Sequence, residues 1–278
     1  MNRKKITISI RDEMLKRVDR IIDRTSIRNR SHALEYLLSQ ALEPKINHAL
    51  ILAGGRGARM KPITEEIPKM LLPIAGKLLL EHQIELLRDS NIRDIVILLG
   101  HLGEKIKYHF GDGSRFGVKI NYLEQKTKEI GTAYALNLAK NYFSSTPFLM
   151  MYGDVLAEIN LKDFIDFHSS SGSLSTVALS SIEKTLPYGM VRLRGKNIVE
   201  FIEKPQKEGL SKVINAGIFC FEPGIFDYLS SKTNLSLEKD VFPKLAKEGK
   251  LTGYLFEGKW FDIGTPAIYE KAIKEWGR

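Results

Sequence analysis

The sequence predicts an α/β protein: a mostly parallel mixed sheet with helices on both faces, preceded by a small domain of different character. Three observations carry this. Apolar runs of strand length (HALILA at 48–53, DIVILLG at 94–100, FLMMY at 148–152) alternate with segments of helical period. Glycine-rich or acidic turns follow those runs directly, as when strands feed loops at one rim of an open sheet. Charge divides unevenly: residues 1–46 hold 11 Lys/Arg against 6 Asp/Glu, and the remaining 232 hold 31 against 27.

The composition is that of a globular chain, 43% hydrophobic and 27% charged over 278 residues. No apolar run approaches the roughly 18 residues of a membrane span, so no membrane partner is expected. The opening MNRKKITISIRDEM has no apolar stretch, which predicts no secretory leader. One cysteine, Cys220, excludes a disulfide framework and an all-cysteine metal site, and a reduced, cytoplasmic setting is expected.

Lys5-Ile6-Thr7-Ile8-Ser9-Ile10 alternates polar and apolar, the period of a strand with one apolar face. Leu15, Val18 and Ile22 then follow a helical spacing. Arg28-Asn29-Arg30-Ser31 reads as a turn. A second helix carries Ala33, Leu34, Leu37, Leu38, Ala41 and Leu42 on one stripe, and Pro44 stops it. One short strand and two helices bury too little to stand alone. Two copies, with their strands paired antiparallel, would solve this. Over residues 3–43 the pattern resembles the ribbon-helix-helix DNA-binding fold. The resemblance implies a dimer whose two-stranded ribbon enters the major groove of double-stranded DNA. Lys5, Thr7 and Ser9 would then face base edges, and the backbone at Arg30 and Ser31 would clamp a phosphate. The alternative is a dimerisation handle with solvated charges.

In residues 47–278 the first strand breaks into Gly54-Gly55-Arg56-Gly57-Ala58-Arg59-Met60-Lys61-Pro62. Glycines let backbone N–H groups approach phosphates, and cations neutralise them. The loop is neither a Walker A loop nor a dinucleotide fingerprint. A helix follows with Leu79, His82, Ile84 and Leu87. Then come the strand at 94–100, a helix at 103–110, a strand at 118–123 and a helix beginning at Gly131-Thr132-Ala133. The strand Phe148–Tyr152 ends in Gly153-Asp154-Val155. This alternation argues for a doubly wound, Rossmann-like sheet. Both the glycine loop and Asp154 fall at strand carboxyl ends, which places cations and a carboxylate on one rim. A carboxylate beside a phosphate cradle makes chemical sense if Mg2+ bridges them.

These segments resemble the sugar-1-phosphate nucleotidylyltransferases, also called nucleotide-sugar pyrophosphorylases. Eight motifs stand in order: LAGGRGARMKPITEEIPKMLLPIAGK (52–77), GDG (111–113), GTA (131–133), GD (153–154), FIEKP (201–205), NAGIF (215–219), SLEKDVFPKLA (236–246) and WFDIGTP (260–266). The resemblance implies that a nucleoside triphosphate and a sugar 1-phosphate react to give a nucleotide sugar and pyrophosphate. The phosphate nucleophile is already ionised, so the protein must gather two polyanions and stabilise charge rather than supply a base. By resemblance, Arg59 and Lys69 hold the triphosphate, and Leu52, Ala53, Gly54, Gly55, Gly57, His101 and Gly131 surround the nucleotide. Lys204 holds the sugar phosphate, with Gly153, Glu203 and Asn215 in the same sugar-phosphate pocket, where Glu203 either fixes Lys204 or binds sugar hydroxyls. Asp154 and Asp262 are implied as Mg2+ ligands, a metal acting as template and charge neutraliser.

Two departures stand out. Ala58 replaces a threonine usual before the arginine, removing one hydroxyl near the phosphates. Glu129-Ile130 replaces a usual Pro-Leu in a loop bordering the nucleotide. The run from FIEKP to WFDIGTP is most similar to GTP:mannose-1-phosphate enzymes, with UTP or dTTP and glucose 1-phosphate the close competitor. A different reading is a DNA-binding regulator whose transferase-like body senses a nucleotide sugar.

Overall fold

The computed structural model describes residues 6–25, 27–42, 46–125, 131–182, 185–186, 188–207, 211–230 and 234–277. The chain forms two compact units, Met1–Pro44 and Lys45–Arg278.

The first unit contains helices α1 (Asp12–Arg20) and α2 (Arg30–Leu42). Acidic Asp12 and Glu13 in the first turn of α1, and Arg17 and Arg20 in its last, complement the helix dipole. The Asn29 side chain accepts the His32 N–H at 3.0 Å and so starts α2. Arg30 donates to both oxygens of Asp19, at 2.7 and 2.8 Å, tying the helices together. Val18 and Ala33 are buried. Ile6 and Ile8 are 73% and 55% exposed, and Tyr36, Leu37 and Leu38 are exposed on α2. Of the segment 5–10, expected as a strand, residues 6–10 take no sheet partner among the described residues. Lys5 lies outside the described residues.

The second unit is built on strands β1 (His48–Ala53), β2 (Pro73–Ile74), β3 (Lys77–Leu78), β4 (Asp94–Leu99), β5 (Lys119–Glu124), β6 (Phe148–Tyr152), β7 (Val155–Ala157), β8 (Ser175–Ser181), β9 (Gly189–Arg194), β10 (Asn197–Glu203), β11 (Val213–Phe221), β12 (Leu251–Leu255) and β13 (Trp260–Asp262). Its helices are α3 (Ile63–Glu66), α4 (Leu79–Asp89), α5 (Gly103–Phe110), α6 (Thr132–Leu138), α7 (Lys140–Phe143), α8 (Leu161–Ser171), α9 (Phe242–Lys247) and α10 (Pro266–Glu275).

Nine strands form one sheet in the order β5-β4-β1-β6-β11-β8-β12-β10-β9. The expectation of a mostly parallel sheet holds for only one half. Strands β5, β4, β1 and β6 are parallel, linked by helical crossovers. Beyond β6 the pairing is antiparallel except at β8–β12. For the β9–β10 pair the reason is local. Strands β9 and β10 are joined by only Gly195-Lys196, and Gly195 takes φ +58°, as a tight hairpin requires. After their first residues, His48 and Asp94, the parallel strands HALILA and DIVILL are apolar because both their faces are covered. Alternate residues feed two cores: Ile51 and Ile97 on one face, Leu50 and Val96 on the other.

A two-stranded ribbon stands apart from the main sheet. Strand β13 pairs antiparallel with β7, with Asp262 opposite Val155. The Ile263 N–H donates to the Asp154 carbonyl at 2.8 Å. Residues more than 100 positions apart thus meet at the carboxyl end of β6.

Candidate active site

An open cleft of about 840 Å3 lies at the carboxyl ends of β1, β4, β5 and β6. That rim is where open α/β sheets bind ligands, because the loops diverge there. From β1 come Leu52, Gly54, Gly55, Arg56 and Arg59, and Lys69 follows on a short turn. Gly100 and His101 leave β4, and Gln125 leaves β5. The backbones after β1 and β4 press together: a Cβ on Gly100 would lie 2.4 Å from the Gly54 carbonyl oxygen.

Lys69 Nζ donates to Asp154 Oδ2 at 2.8 Å, with the lysine side chain only 10% exposed. The β7–β13 ribbon carries Asp262 to the same place. Burial, and then the charge of Asp154, push the Asp262 carboxyl up to about 6, against the opposing pull of Lys69, Arg59 and Lys204. The Arg59 guanidinium lies against Gly264, where a Cβ would be 2.6 Å from Nη2. Two carboxylates whose charges act on one another, with three cations acting on them, thus gather both signs of charge in one part of the cleft.

The opposite wall comes from the antiparallel half of the sheet. Glu203 ends β10, and its carboxyl is pushed up by burial and by the charge of Glu238. Lys204 Nζ is 3.7 Å from Glu203 Oε1. Lys204 holds φ +46°, a strained conformation for a residue with a side chain. Strand β11 is irregular between Asn215 and Phe219. Asn215 Oδ1 accepts the Gly217 N–H at 2.8 Å, and Trp260 Nε1 donates to the Ala216 carbonyl at 2.9 Å, fixing the irregular stretch to β13.

The cleft therefore gathers Arg59, Lys69, Asp154, Asp262, Leu52, Gly54, Gly55, His101, Gly131, Glu203, Lys204 and Asn215. Three other expected residues do not line it. Ala53 is buried in the core. Gly57 takes φ +62°, and its carbonyl accepts the Thr64 hydroxyl at 2.8 Å, so it shapes the loop from behind. Gly153 is packed so closely that a Cβ would meet Met70 Sδ at 2.5 Å. Glu129 and Ile130 lie outside the described residues. Thr7, Ser9, Arg30 and Ser31 belong to the first unit, where the Arg30 side chain is engaged with Asp19.

Sequence reasoning did not single out Thr132, Tyr152, Tyr188 or Glu238, all of which line the cleft. Burial, then the charges of Asp262 and Asp154, raise the Tyr188 phenol, while Arg59 lowers it. Thr132 and Glu238 stand inside recognised motifs, which was a usable signal. Tyr188 offered none.

Comparison with known proteins agrees with this geometry. A family model described as Nucleotidyl transferase matches residues 48–277. The mannose-1-phosphate guanylyltransferase catalytic subunit beta of Drosophila melanogaster is 36% identical over 223 residues, covering 78% of this chain and 59% of that protein. A UTP–glucose-1-phosphate uridylyltransferase of Synechocystis is 36% identical over 243 residues, covering 81% of this chain and 62% of that protein. The chain thus spans less than two thirds of the length of these curated relatives. The crystal structure of HddC from Yersinia pseudotuberculosis superimposes with a TM-score of 0.70 at 26% identity, covering 83% of this chain and all of that one. With its cation-lined cleft at the carboxyl ends of parallel strands and the match over 48–277, the chain belongs to the nucleotidyl transferase family.

Proposed function

We propose that this chain transfers a nucleotidyl group from a nucleoside triphosphate to a sugar 1-phosphate, releasing pyrophosphate. The observation that carries the reading is the meeting of Lys69, Asp154, Asp262 and Arg59 on one wall with Glu203, Lys204 and Asn215 on the other, in one cleft. A phosphate oxygen of the sugar 1-phosphate forms a bond to the α-phosphorus, and the bond from that phosphorus to the bridging oxygen breaks. Arg59 and Lys69 hold the triphosphate and spread its negative charge. Lys204 brings the sugar phosphate into line, and Glu203 and Asn215 take sugar hydroxyls. No group need remove a proton from the nucleophile. The intact carboxylate pair favours turnover over a purely sensing role.

The donor set fits a magnesium ion. Asp154 and Asp262 face each other closely enough for one to raise the other's carboxyl, a repulsion a cation would relieve. Among the described residues no cluster of three or more His, Cys, Asp or Glu surrounds them. That suits Mg2+, which commonly takes one or two carboxylates and completes its shell with phosphate oxygens and water. When bound it would neutralise charge on the phosphates and orient them.

GTP with mannose 1-phosphate is the proposed pair, supported by the identity to the guanylyltransferase. UTP or dTTP with glucose 1-phosphate is second, supported by the uridylyltransferase. The test is pyrophosphate release with Mg2+ over a matrix of five nucleoside triphosphates and several sugar 1-phosphates. Turnover that disappears in Asp154→Asn and on chelation supports the reading. No turnover with any pair overturns it.

For the first unit we propose a ribbon-helix-helix dimer that contacts double-stranded DNA through Lys5, Thr7 and Ser9 and the start of α2 at Arg30 and Ser31. Exposed Ile6, Ile8, Leu37 and Leu38 support it, since a second copy would cover them. Light scattering on the full chain tests the dimer, and Leu37→Glu with Leu38→Glu should give the monomer mass. A salt-dependent DNA shift tests the contact. No helix among the described residues is long and apolar enough to cross a membrane.

A further inference from the structure

The base of the cleft holds a buried carboxylate that no step above uses. Glu238 is 7% exposed and sits in a π-helical turn, Leu237–Val241. Its Oε2 accepts from Thr132 Oγ1 and from Ser236 Oγ, each at 2.6 Å. Its Oε1 accepts from the Tyr152 hydroxyl. Lengths of 2.6 Å are at the short end for a hydroxyl bonded to a carboxylate. A hydroxyl has one proton to give, and all three give it to Glu238.

Ser236 caps the turn that carries Glu238, while Thr132 and Tyr152 belong to two different walls. Thr132 opens α6, and its hydroxyl also accepts the Leu237 N–H at 2.9 Å. The Leu235 carbonyl accepts from Ala133 and Tyr134 at 3.0 and 3.2 Å. A Cβ on Gly131 would lie 2.3 Å from that carbonyl oxygen, so the two segments touch where no side chain fits. Tyr152 ends β6, two residues before Asp154. Its ring packs edge-on against Phe219 at 5.2 Å and covers Gly217, where a Cβ would meet it at 3.0 Å. Gln83 grips the same strand end, donating to the carbonyls of Tyr152 and Val155 at 2.9 and 2.7 Å.

We propose that Glu238 is a positioning residue that sets the width of the cleft, tying the Gly131–Thr132 start of α6 on the nucleotide side to Tyr152 and the Asn215–Gly217 stretch on the sugar side. The proposal rests on the activity reading above. Its chemistry is that of a brace. Three of the roughly four acceptor sites of the carboxylate are thus given to the walls it holds. Removing it frees both walls at once, leaving three hydroxyls without their shared acceptor.

The test is steady-state kinetics of Glu238→Gln and Tyr152→Phe in the full chain, at a temperature well below each variant's melting point. A merely structural loss lowers the number of active molecules, and so kcat, while KM stays unchanged. A loss of positioning raises KM. For Glu238→Gln we expect KM for the nucleoside triphosphate and for the sugar 1-phosphate to rise together, each about tenfold. Tyr152→Phe, which keeps the ring and removes one donor, should raise both by less. In the Tyr152→Phe background the Glu238→Gln effect should shrink, because the two act as one unit. A rise confined to one substrate, or additive effects, would overturn the proposal while leaving the activity intact. Should Glu238→Gln fail to fold, Tyr152→Phe alone decides, and unchanged KM values for both substrates count against the brace. If the wild-type chain shows no turnover, the activity reading fails first. The brace is then read from the Kd values of GDP-mannose and UDP-glucose by calorimetry. Weaker binding in Glu238→Gln supports the brace. Unchanged binding, or a wild-type chain that binds neither, overturns it.

Discussion

Lys69 Nζ sits 2.8 Å from Asp154 Oδ2, and the lysine is the more buried partner of the pair. A cation is thereby held against the carboxylate that is proposed to share a metal with Asp262. The pair holds the lysine at the proposed phosphate site without the cost of an unpaired buried charge. Replacing Asp154 by Asn should cut kcat/KM by roughly a thousandfold, a loss of about 4 kcal/mol of transition-state stabilisation. Lys69→Met should cost about as much. The double variant should cost far less than the product of the two, since each single change already disables the other partner. Pyrophosphate release across this cycle checks it.

Lys204 separates strain from function. Its φ of +46° is one glycine adopts freely, so Lys204→Gly should preserve or slightly raise stability, by up to ~1 kcal/mol. The same change should raise KM for the sugar 1-phosphate by about tenfold or more and leave the triphosphate KM nearly untouched. Urea unfolding and substrate-resolved kinetics on one protein sample provide both readouts.

Gly100 and Gly55 make a matched pair of substitutions. A Cβ on Gly100 would lie 2.4 Å from the Gly54 carbonyl oxygen and 2.8 Å from Gly54 Cα, and both atoms are backbone. Gly100→Ala should destabilise by about 1–3 kcal/mol, the usual cost of overpacking. A Cβ on Gly55 would meet nothing within 4 Å, so Gly55→Ala should leave the unfolding midpoint unchanged. Equal midpoints for the two variants would contradict the close approach of the β1 and β4 loops.

His168 should make stability depend on pH. It is 2% exposed, its Nδ1 is bonded to Thr176 Oγ1 at 2.7 Å, and burial lowers its pKa from 6.5 to about 4. Between those values the unfolded chain binds more protons than the folded one. The contribution is therefore complete above about pH 6.5 and is lost as pH falls toward 4, a change of at most ~3 kcal/mol. Glu222 Oε1, 3.5 Å from Nε2, favours the imidazolium and reduces that figure. Urea midpoints at pH 7.5 and 5 should differ more for the wild type than for His168→Gln.

Much of this was legible in the sequence, and the exceptions have physical causes. The strands at 48–53 and 148–152 and the helix at 103–110 end where apolar period and glycine punctuation said they would. Twelve of the expected site residues line one cleft because motif residues at strand ends share a rim. The orientation of β11 was not legible. An apolar strand buried on both faces reads the same in either direction, and its antiparallel pairing with β6 is a tertiary fact. Ala53, Gly57 and Gly153 stand in motifs beside residues that line the cleft, yet serve the backbone behind it. Their spacing cannot tell lining from support. Glu238 could be seen as an acidic residue in a motif. That it accepts from hydroxyls at 132, 152 and 236 required the fold.

The β7–β13 ribbon has a consequence for synthesis. The nine strands of the main sheet are complete by Leu255, and Asp154 is in place well before that. Asp262 arrives only with β13, and its neighbour Ile263 docks on the Asp154 carbonyl. A chain emerging from the ribosome can therefore assemble its whole sheet and still hold only one of the two facing carboxylates. The second carboxylate comes with the last strand among the described residues. A truncation before Trp260 should give a folded sheet with a half-built charge site.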